Sequence, residues 1–237
     1  MKVIKKILNN FINLFGFKLS RVNNSTPRYQ FKNNHDYSLI MIGAHNGKKS
    51  IQLVIDALKF GKVCLVEPVP YLFDQLSRTH KTSKQTFLIN KCITSVERGF
   101  IDFYSTSIES NKIHYYGDQL GSLDPNHAKK HDKRFQQFVS KIKVPTTTPL
   151  KLLSELNCNS IDYLLLDTEG SDAQILLSFP FNLVKPNTIC FEHKHIDGTY
   201  TVGDNFLSVV KLLNLEGYKI RILDSENIIA TLNKTNS

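Results

Sequence analysis

The chain has 237 residues, of which 41% are hydrophobic and 22% charged, and its formal net charge is +9. These values are typical of a globular domain of ordinary size and exclude the fibrous, intrinsically disordered and disulfide-stabilised classes of protein. The four cysteines are dispersed and form no CxxC motif. We therefore expect buried thiols in a reducing compartment and a cytoplasmic location.

The positive charge is concentrated in two segments. Residues 1–35 contain seven basic residues and no acidic residue, and residues 124–143 contain six basic and two acidic residues. The rest of the chain is nearly neutral. This distribution favours local docking on an anionic partner and argues against a groove that follows the phosphates of a nucleic acid.

Residues 1–35 are predicted to form a basic amphipathic helix and a linker, which precede a main domain at 36–237. Asparagines interrupt the apolar part of this helix, which argues against an export signal, and no apolar run approaches the length of a membrane span. Two interpretations remain open: the helix packs on its own domain, or it makes a peripheral contact with an anionic membrane. Its apolar residues at helical spacing are Ile4, Ile7, Leu8, Phe11, Ile12 and Phe15.

From residue 39 onward, short apolar runs alternate with amphipathic segments, which predicts an α/β fold with a parallel sheet and crossover helices. The predicted strands cover residues 39–42, 63–66, 86–93, 100–104, 161–166 and 188–191, followed by a closing β-hairpin at 218–223 and 228–232. The predicted helices cover 48–60, 70–80, 126–140, 150–156 and 171–179, and a last helix is capped by Asp204 and ends before Gly217. The pattern is weakest at about 95–146, which we interpret as an insertion.

Two polar strand ends predict a ligand site, because ligands of doubly wound sheets bind at the carboxyl ends of the strands. The first strand is followed by the turn GAHNG at residues 43–47, whose glycines let the backbone approach a ligand. Its GxxxG spacing differs from the GxGxxG motif of dinucleotide-binding proteins. Glu67 follows the second strand, where a carboxylate can accept hydrogen bonds from both hydroxyls of a ribose. The alternatives are an ordinary strand-to-helix turn and a solvated loop acid.

Two further strand ends carry charged side chains. Asp167 and Glu169 follow a strongly apolar strand, where a charge costs free energy unless it is paired or functional. Asp167 could instead cap the next helix. The fifth strand leads into residues 192–195, and a continued strand would point His193 and His195 to the same side. His193 is the candidate general base, with a structural histidine as the alternative.

The order of these motifs resembles the FkbM family of S-adenosylmethionine-dependent methyltransferases. The similar segments are GAHNG, VEP, VPTTTPLKLL, IDYLLLDTEGSD and CFEH, within residues 38–232. The resemblance implies a Rossmann-like, seven-stranded class I methyltransferase sheet with helices on both faces and a terminal β-hairpin. One departure concerns Met41, which stands where the family usually has an acid. Asp36 lies on the wrong side of the strand to replace that acid.

The resemblance also implies roles around the cofactor S-adenosylmethionine and the methyl acceptor. Gly43, Ala44 and Gly47 would approach the methionine part of the cofactor, Glu67 would hold its ribose, Asn90 and Cys92 would lie near its adenine, and Ser122 would line the site. Asp167 and Glu169 would face the cofactor or the acceptor, and Glu192 and His193 would border the acceptor.

The implied activity is methylation of a hydroxyl group on a saccharide, a glycan or a small natural product. We expect His193 to act as the base, with Asp167 and Glu169 orienting it or the acceptor. A divalent metal held by these carboxylates is compatible with the sequence, but the spacing does not require one and none is predicted. The basic segments fit an anionic or lipid-linked acceptor.

Two alternatives to this activity remain open. The positive charge is compatible with an RNA ribose methyltransferase, although no aromatic platform accompanies the basic residues. Met41 is compatible with a catalytically inactive binding protein that keeps the fold.

Overall fold

The computed structural model describes residues 20–21, 31–32, 35–80, 83–199 and 201–233. The strands are β1 (Ser20–Arg21), β2 (Tyr37–Ile42), β3 (Lys62–Val66), β4 (Thr86–Ile89), β5 (Cys92–Ile93), β6 (Phe100–Thr106), β7 (Val139–Thr147), β8 (Ile161–Leu166), β9 (Thr188–Glu192), β10 (Tyr218–Ile222) and β11 (Asn227–Leu232). The α-helices are α1 (Ile51–Leu58), α2 (Pro70–His80), α3 (His127–His131), α4 (Pro149–Glu155), α5 (Asp172–Leu177) and α6 (Asp204–Leu215). Three 3-10 helices cover Ile108–Lys112, Gly117–Gln119 and Lys133–Phe138.

The main sheet has the strand order β1-β10-β11-β9-β8-β2-β3-β4. Strand β11 is antiparallel to both of its neighbours, and the other pairs are parallel. Seven of these strands form the predicted class I methyltransferase sheet with its terminal hairpin, so the predicted fold is confirmed. The short strand β1 adds an eighth member beside β10.

The centre of this sheet is buried on both faces. All six residues of β2 and all six of β8 are buried. Because side chains alternate along a strand, Ile40 and Leu164 pack in one apolar cluster while Leu39 and Leu165 pack in another. Continuous apolar runs are expected of parallel strands covered by helices on both sides.

The predicted third strand, 86–93, is divided between two sheets. It leaves the main sheet after Ile89, and β5 then pairs with β7 in a second, three-stranded sheet of order β5-β7-β6. The side-chain amide of Asn90 donates to the carbonyl oxygens of Glu67 and Pro68, at 2.8 and 3.1 Å. These bonds fix the chain where it turns away from the main sheet.

The predicted basic helix at 126–140 is two shorter helices. Helix α3 ends at His131, and Asp132 is extended, with a φ of −157°. The Asp132 carboxylate accepts a hydrogen bond from the backbone N–H of Arg134. This bond caps the next 3-10 helix, which begins at Lys133. The sequence pattern missed this break because an aspartate in a polar run serves equally well as a helix cap or as a solvated residue.

The start of α6 also differs from the prediction, because Asp204 lies inside the helix and Gly203 is the N-cap residue. The capping carboxylate comes from Asp197. It accepts hydrogen bonds from the backbone N–H groups of Gly203, Asn205 and Phe206, at 2.9, 3.1 and 2.9 Å. A carboxylate seven residues before the helix is not part of any local capping pattern.

Other predictions fall partly or wholly outside the described residues. The N-terminal amphipathic helix lies among residues that the structure does not describe, and it stays a prediction, as does the domain boundary at residue 36. None of the helices formed by the described residues is both long enough and apolar enough to cross a membrane.

Candidate functional site

The glycine turn after β2 lies directly against the end of β8. The backbone N–H groups of Gly43 and Ala44 both donate to the carbonyl oxygen of Val66, at 2.9 Å. Gly43 has a φ of +89°, and a Cβ atom at this position would lie 1.8 Å from the carbonyl oxygen of Asp167. Only glycine allows this close approach.

The far end of the same turn packs on helix α2. Gly47 has a φ of +72°, and a Cβ atom there would lie 2.6 Å from both Leu76 Cδ1 and His80 Nε2. The predicted need for glycine at both ends of the turn therefore has a steric reason at each end.

Glu67, at the end of β3, is 5% exposed and faces the same turn. One carboxylate oxygen accepts from the backbone N–H of His45 at 2.8 Å, and the other accepts from that of Val69 at 2.9 Å. Burial raises the pKa of Glu67 to about 7, although both hydrogen bonds act to lower it. Each oxygen retains a lone pair that can accept from a ligand hydroxyl.

These elements surround a cavity of about 420 Å³, a size typical of small-molecule sites. Its wall combines the glycine turn, Glu67, an apolar portion and the polar end of β8. Among the residues that line it are Gly43, Ala44, Gly47, Glu67, Leu72, Cys92, Ile93, Phe103, Gly121, Asp167 and Glu169.

Asp167 follows β8, and its side chain is open to the cavity. Its backbone N–H donates to the carbonyl oxygen of Ile42 at 2.9 Å, which holds it beside the glycine turn. Desolvation by the surrounding protein, together with repulsion from Glu169 and Asp172, raises the pKa of Asp167 to about 8. Its side chain makes no cap for α5, so the capping alternative is excluded for the described residues.

Asp172 connects the ends of β8 and β9 through hydrogen bonds. It is 1% exposed and accepts hydrogen bonds from the backbone N–H groups of Thr168 and Glu192, at 3.1 and 2.8 Å, and from the Thr168 hydroxyl. Burial raises the pKa of Asp172 to about 6. This carboxylate positions the two strand ends but does not line the cavity, whereas Asp167 and Glu169 do.

Glu169 has an unusual backbone conformation, with a φ of +52°, which is uncommon for a residue other than glycine and is often associated with function. Its carboxylate lies 2.8 Å from His127 Nε2, and its carbonyl oxygen accepts from the Ser122 hydroxyl at 2.8 Å. Burial acts to raise the pKa of Glu169, but the hydrogen bond and charge of His127 outweigh it, so the pKa lies below its usual value.

A comparison with known families gives a match to the methyltransferase FkbM domain over residues 42–220, which is well over half of the chain. The chain belongs to the FkbM methyltransferase family. This FkbM protein is therefore an S-adenosylmethionine-dependent methyltransferase, as the motifs predicted. No curated protein sequence gives a match.

Several solved structures are similar to this FkbM methyltransferase. The methyltransferase FkbM from Methylobacillus flagellatus is 11% identical with a TM-score of 0.52, and the match covers 90% of this chain but only 48% of that one. Fibrillarin from Methanococcus jannaschii is 14% identical with a TM-score of 0.44, covering 86% and 70% of the two chains. Precorrin-6y C5,15-methyltransferase from Geobacter metallireducens is 11% identical with a TM-score of 0.43, covering 92% and 94%.

Several predicted site residues of the FkbM methyltransferase come together at the cavity, and others do not. The described residues that line the cavity do not include Asn90, Ser122 or His193. Asn90 supports the backbone after Glu67, and Ser122 lies behind Glu169 while its neighbour Gly121 reaches the wall.

His193 does not line the cavity. Its backbone N–H donates to the carbonyl oxygen of Glu226 at 2.8 Å, and its ring lies 6.2 Å from that of Phe206. Burial lowers the pKa of His193. Strand β9 ends at Glu192, so the alternation that would have placed His193 and His195 on one side does not apply. This surrounding favours the structural alternative for His193.

Met41 and Asp36 occupy opposite ends of β2. Met41 is 8% exposed and lines the cavity, whereas the carboxylate of Asp36 accepts from the backbone of Asn159 at 2.8 Å. The expectation that Asp36 cannot replace the first-motif acid agrees with this geometry.

The sequence analysis named His195 but did not predict that it meets His127 and His131 beside Glu169. The rings of His127, His131 and His195 lie 4.8 to 5.0 Å from one another. Burial lowers the pKa of His131 and lowers that of His195 to about 3. The i,i+4 spacing of the two histidines in HAKKH was a usable signal, because it puts both rings on one face of a helix.

Proposed function

We propose that this FkbM methyltransferase transfers the methyl group of S-adenosylmethionine to a hydroxyl group of a saccharide, a glycan or a small natural product. The observation that carries the proposal is the pair Asp167 and Glu169 on the cavity wall, next to the glycine turn. The cavity thus offers a surface for the cofactor and an acidic surface for the acceptor.

The cofactor part rests on the turn at 43–47 and on Glu67. The turn brings backbone close to the space where the methionine part of the cofactor would lie, as the family resemblance implies. The Glu67 carboxylate can accept hydrogen bonds from the ribose hydroxyls, and Cys92 and Ile93 offer an apolar surface for the adenine. Asn90 would support this surface from behind.

The acidic surface favours a polyhydroxyl acceptor. Carboxylate oxygens accept hydrogen bonds from sugar hydroxyls, whereas they repel the phosphates of an RNA backbone. Glu169 carries the repulsive charge, because its pKa lies below the usual value, whereas the pKa of Asp167 of about 8 leaves that carboxyl mainly protonated at neutral pH. The saccharide is therefore preferred over RNA ribose.

The transfer itself is an in-line displacement. The bond between the methyl carbon and the sulfonium sulfur breaks as the bond to the acceptor oxygen forms, and the hydroxyl proton must leave. Asp167 is our candidate for the general base that accepts this proton, because its side chain is open to the cavity and lies beside Gly43. His193 was the candidate from the sequence, but its place beside Phe206 does not favour that role.

The test measures release of S-adenosylhomocysteine with neutral oligosaccharides and with RNA oligonucleotides as acceptors. We expect turnover with saccharides, a reduction of kcat by about 100-fold or more in Asp167→Asn, and little change in His193→Gln. Cofactor affinity is measured by calorimetry in each variant, so that a loss of binding is separated from a loss of chemistry. Transfer to RNA alone would contradict the proposal, and full activity of Asp167→Asn would contradict the assigned base.

A second part of this proposal concerns the basic surface outside the cavity. We propose that the saccharide is carried on an anionic or lipid-linked group that contacts the basic residues of the insertion. Lys129 and Lys133 are exposed there, and the structure gives their side chains no acidic partner among the described residues. Peripheral membrane contact through the N-terminal helix belongs to the same proposal.

A further inference from the structure

Three histidines and one glutamate converge where the insertion meets the ends of β8 and β9. His127 and His131 lie four residues apart on α3, Glu169 follows β8, and His195 follows β9. One nitrogen or carboxylate oxygen from each of these four residues lies within 4.8 Å of all the others. Residues from three separate parts of the chain thus share one small space.

Two of the imidazole nitrogens in this space lack a partner. Nε2 of His131 and Nε2 of His195 are buried without a hydrogen bond from any described residue. His195 Nε2 lies 3.7 Å from the carboxylate oxygens of both Glu169 and Glu192, which is too long for a hydrogen bond. Buried polar atoms without partners cost free energy, and such atoms in one cluster point to a missing ligand.

We propose that His127, His131, Glu169 and His195 bind a divalent transition metal ion, with Zn²⁺ as the best fit. Imidazole and carboxylate donors suit zinc, whereas Mg²⁺ and Ca²⁺ prefer oxygen donors alone. Zinc–ligand bonds of 2.0–2.1 Å in a tetrahedron separate neighbouring donor atoms by about 3.3 Å. The 2.8 Å and 3.7 Å separations of Glu169 from His127 and His195 lie on either side of that value.

The surrounding charges are compatible with a cation at this position. Glu192 adds a second carboxylate beside His195. The nearby Lys194 forms an ion pair with Glu226 at 2.9 Å, so its charge is partly compensated. The spacing of the two histidines on α3 also matches the i,i+4 pairs that bind zinc on one face of a helix.

Four protein ligands make a closed site, so the metal has a structural role. It joins α3 of the insertion to the two central strand ends and takes one carboxylate oxygen of Glu169. Only the other oxygen is then left for an acceptor in the cavity that Glu169 also lines. The inference goes beyond the proposed function and does not depend on it, because metal binding is measured without any acceptor or cofactor.

The first experiment determines the zinc content of the full-length chain and then titrates chelator-treated protein with ZnCl₂ by calorimetry. We expect one Zn²⁺ per chain and a rise in the melting temperature when zinc is added. The variants His131→Ala and His195→Ala are expected to bind zinc about 100-fold more weakly or worse. Circular dichroism of each variant checks that it is folded.

The matched control is His114→Gln, an exposed histidine of the same insertion whose ring stacks near Tyr115 and Tyr116 and lies outside the cluster. It is expected to bind zinc like the wild type. Substitution with Co²⁺ gives an independent readout, because tetrahedral nitrogen and oxygen ligation produces strong visible absorption bands. The proposal is overturned if the wild type takes up no zinc, or if folded His195→Ala binds it as tightly as His114→Gln does.

Discussion

At the scale of single residues, the cavity depends on two residues that the sequence already indicated. Gly43 allows the turn to touch the backbone of Asp167, and Glu67 accepts hydrogen bonds from two backbone N–H groups at the cavity wall. Both residues follow strands directly, so their positions are set by short-range structure. Their effects can be measured by binding of S-adenosylhomocysteine.

The substitution Gly43→Ala is expected to abolish cofactor binding and to destabilise the protein. The added Cβ would lie 1.8 Å from the Asp167 carbonyl oxygen, so the turn has to move. The matched control is Gly99→Ala, because Gly99 also has a positive φ, +69°, but no atom within 4 Å of the added Cβ. The control should lose only about 1–2 kcal/mol of unfolding free energy and keep its affinity for the cofactor. Equal affinities in the two variants would show that the clash is unimportant.

The affinity for S-adenosylhomocysteine is expected to fall about tenfold between pH 8 and pH 6. Glu67 has a pKa of about 7, so its carboxylate is mainly ionised at the higher pH and mainly protonated at the lower one. Only the ionised form accepts hydrogen bonds from both ribose hydroxyls with both oxygens. Calorimetry at several pH values measures this slope, which should be absent in Glu67→Gln. A variant that keeps the slope would exclude Glu67 as its origin.

The stability of the ligand-free protein should change with pH in the opposite direction. The pKa of Glu67 is raised from 4.5 to about 7 on folding, so the folded state holds a proton that the unfolded state has released. The free energy of unfolding therefore decreases as the pH rises through this window. Urea unfolding of the wild type and of Glu67→Gln at pH 5 and pH 8 would isolate this contribution.

At the scale of elements, most helices and strands follow the predicted pattern, and the deviations occur at their ends. Strand 86–93 is divided because Asn90 bonds to the backbone after β3. The basic helix is divided at Asp132, and α6 begins under the carboxylate of Asp197. In each case a polar side chain that is ambiguous in the sequence finds its partner only in the folded chain.

The substitution Asp197→Ala is expected to lower the free energy of unfolding by about 1–2 kcal/mol, because the first N–H groups of α6 lose their acceptor. Asp204→Ala is the comparison, since the sequence pattern nominated Asp204 as the cap. It should change stability by about 0.5 kcal/mol or less. Urea unfolding followed by circular dichroism decides between the two, and a larger loss in Asp204→Ala would reverse the assignment.

At the scale of the whole molecule, the sheet brings together residues that are far apart in the chain. The ends of β2, β3, β8 and β9 meet at one edge, and the insertion between β5 and β7 covers that edge. The charge is distributed differently. Three carboxylates line the cavity together with Lys49 and Lys91, while the basic residues of the insertion lie on the exposed surface outside it.

The double variant Lys129→Gln/Lys133→Gln is expected to raise the KM for a sugar phosphate by about threefold to tenfold at low ionic strength. Its KM for the corresponding neutral sugar should not change, and added salt should reduce the difference. The control Lys211→Gln/Lys219→Gln removes the same charge from α6 and from β10, which pairs with the terminal strand β1. Identical KM values for the sugar phosphate in both double variants would exclude the insertion as the anion-binding surface.

The sequence alone determined the fold class, the strand and helix order of the core, the glycine turn and the acids at strand ends. These features depend on periodicity and on residues next to one another, which the sequence displays directly. The tertiary structure decided which side chains meet. His193 lies beyond the end of β9 and does not line the cavity, whereas His195 meets two histidines more than 60 residues earlier in the chain. Such encounters depend on where a strand stops and how a distant insertion folds back, and no local pattern encodes either.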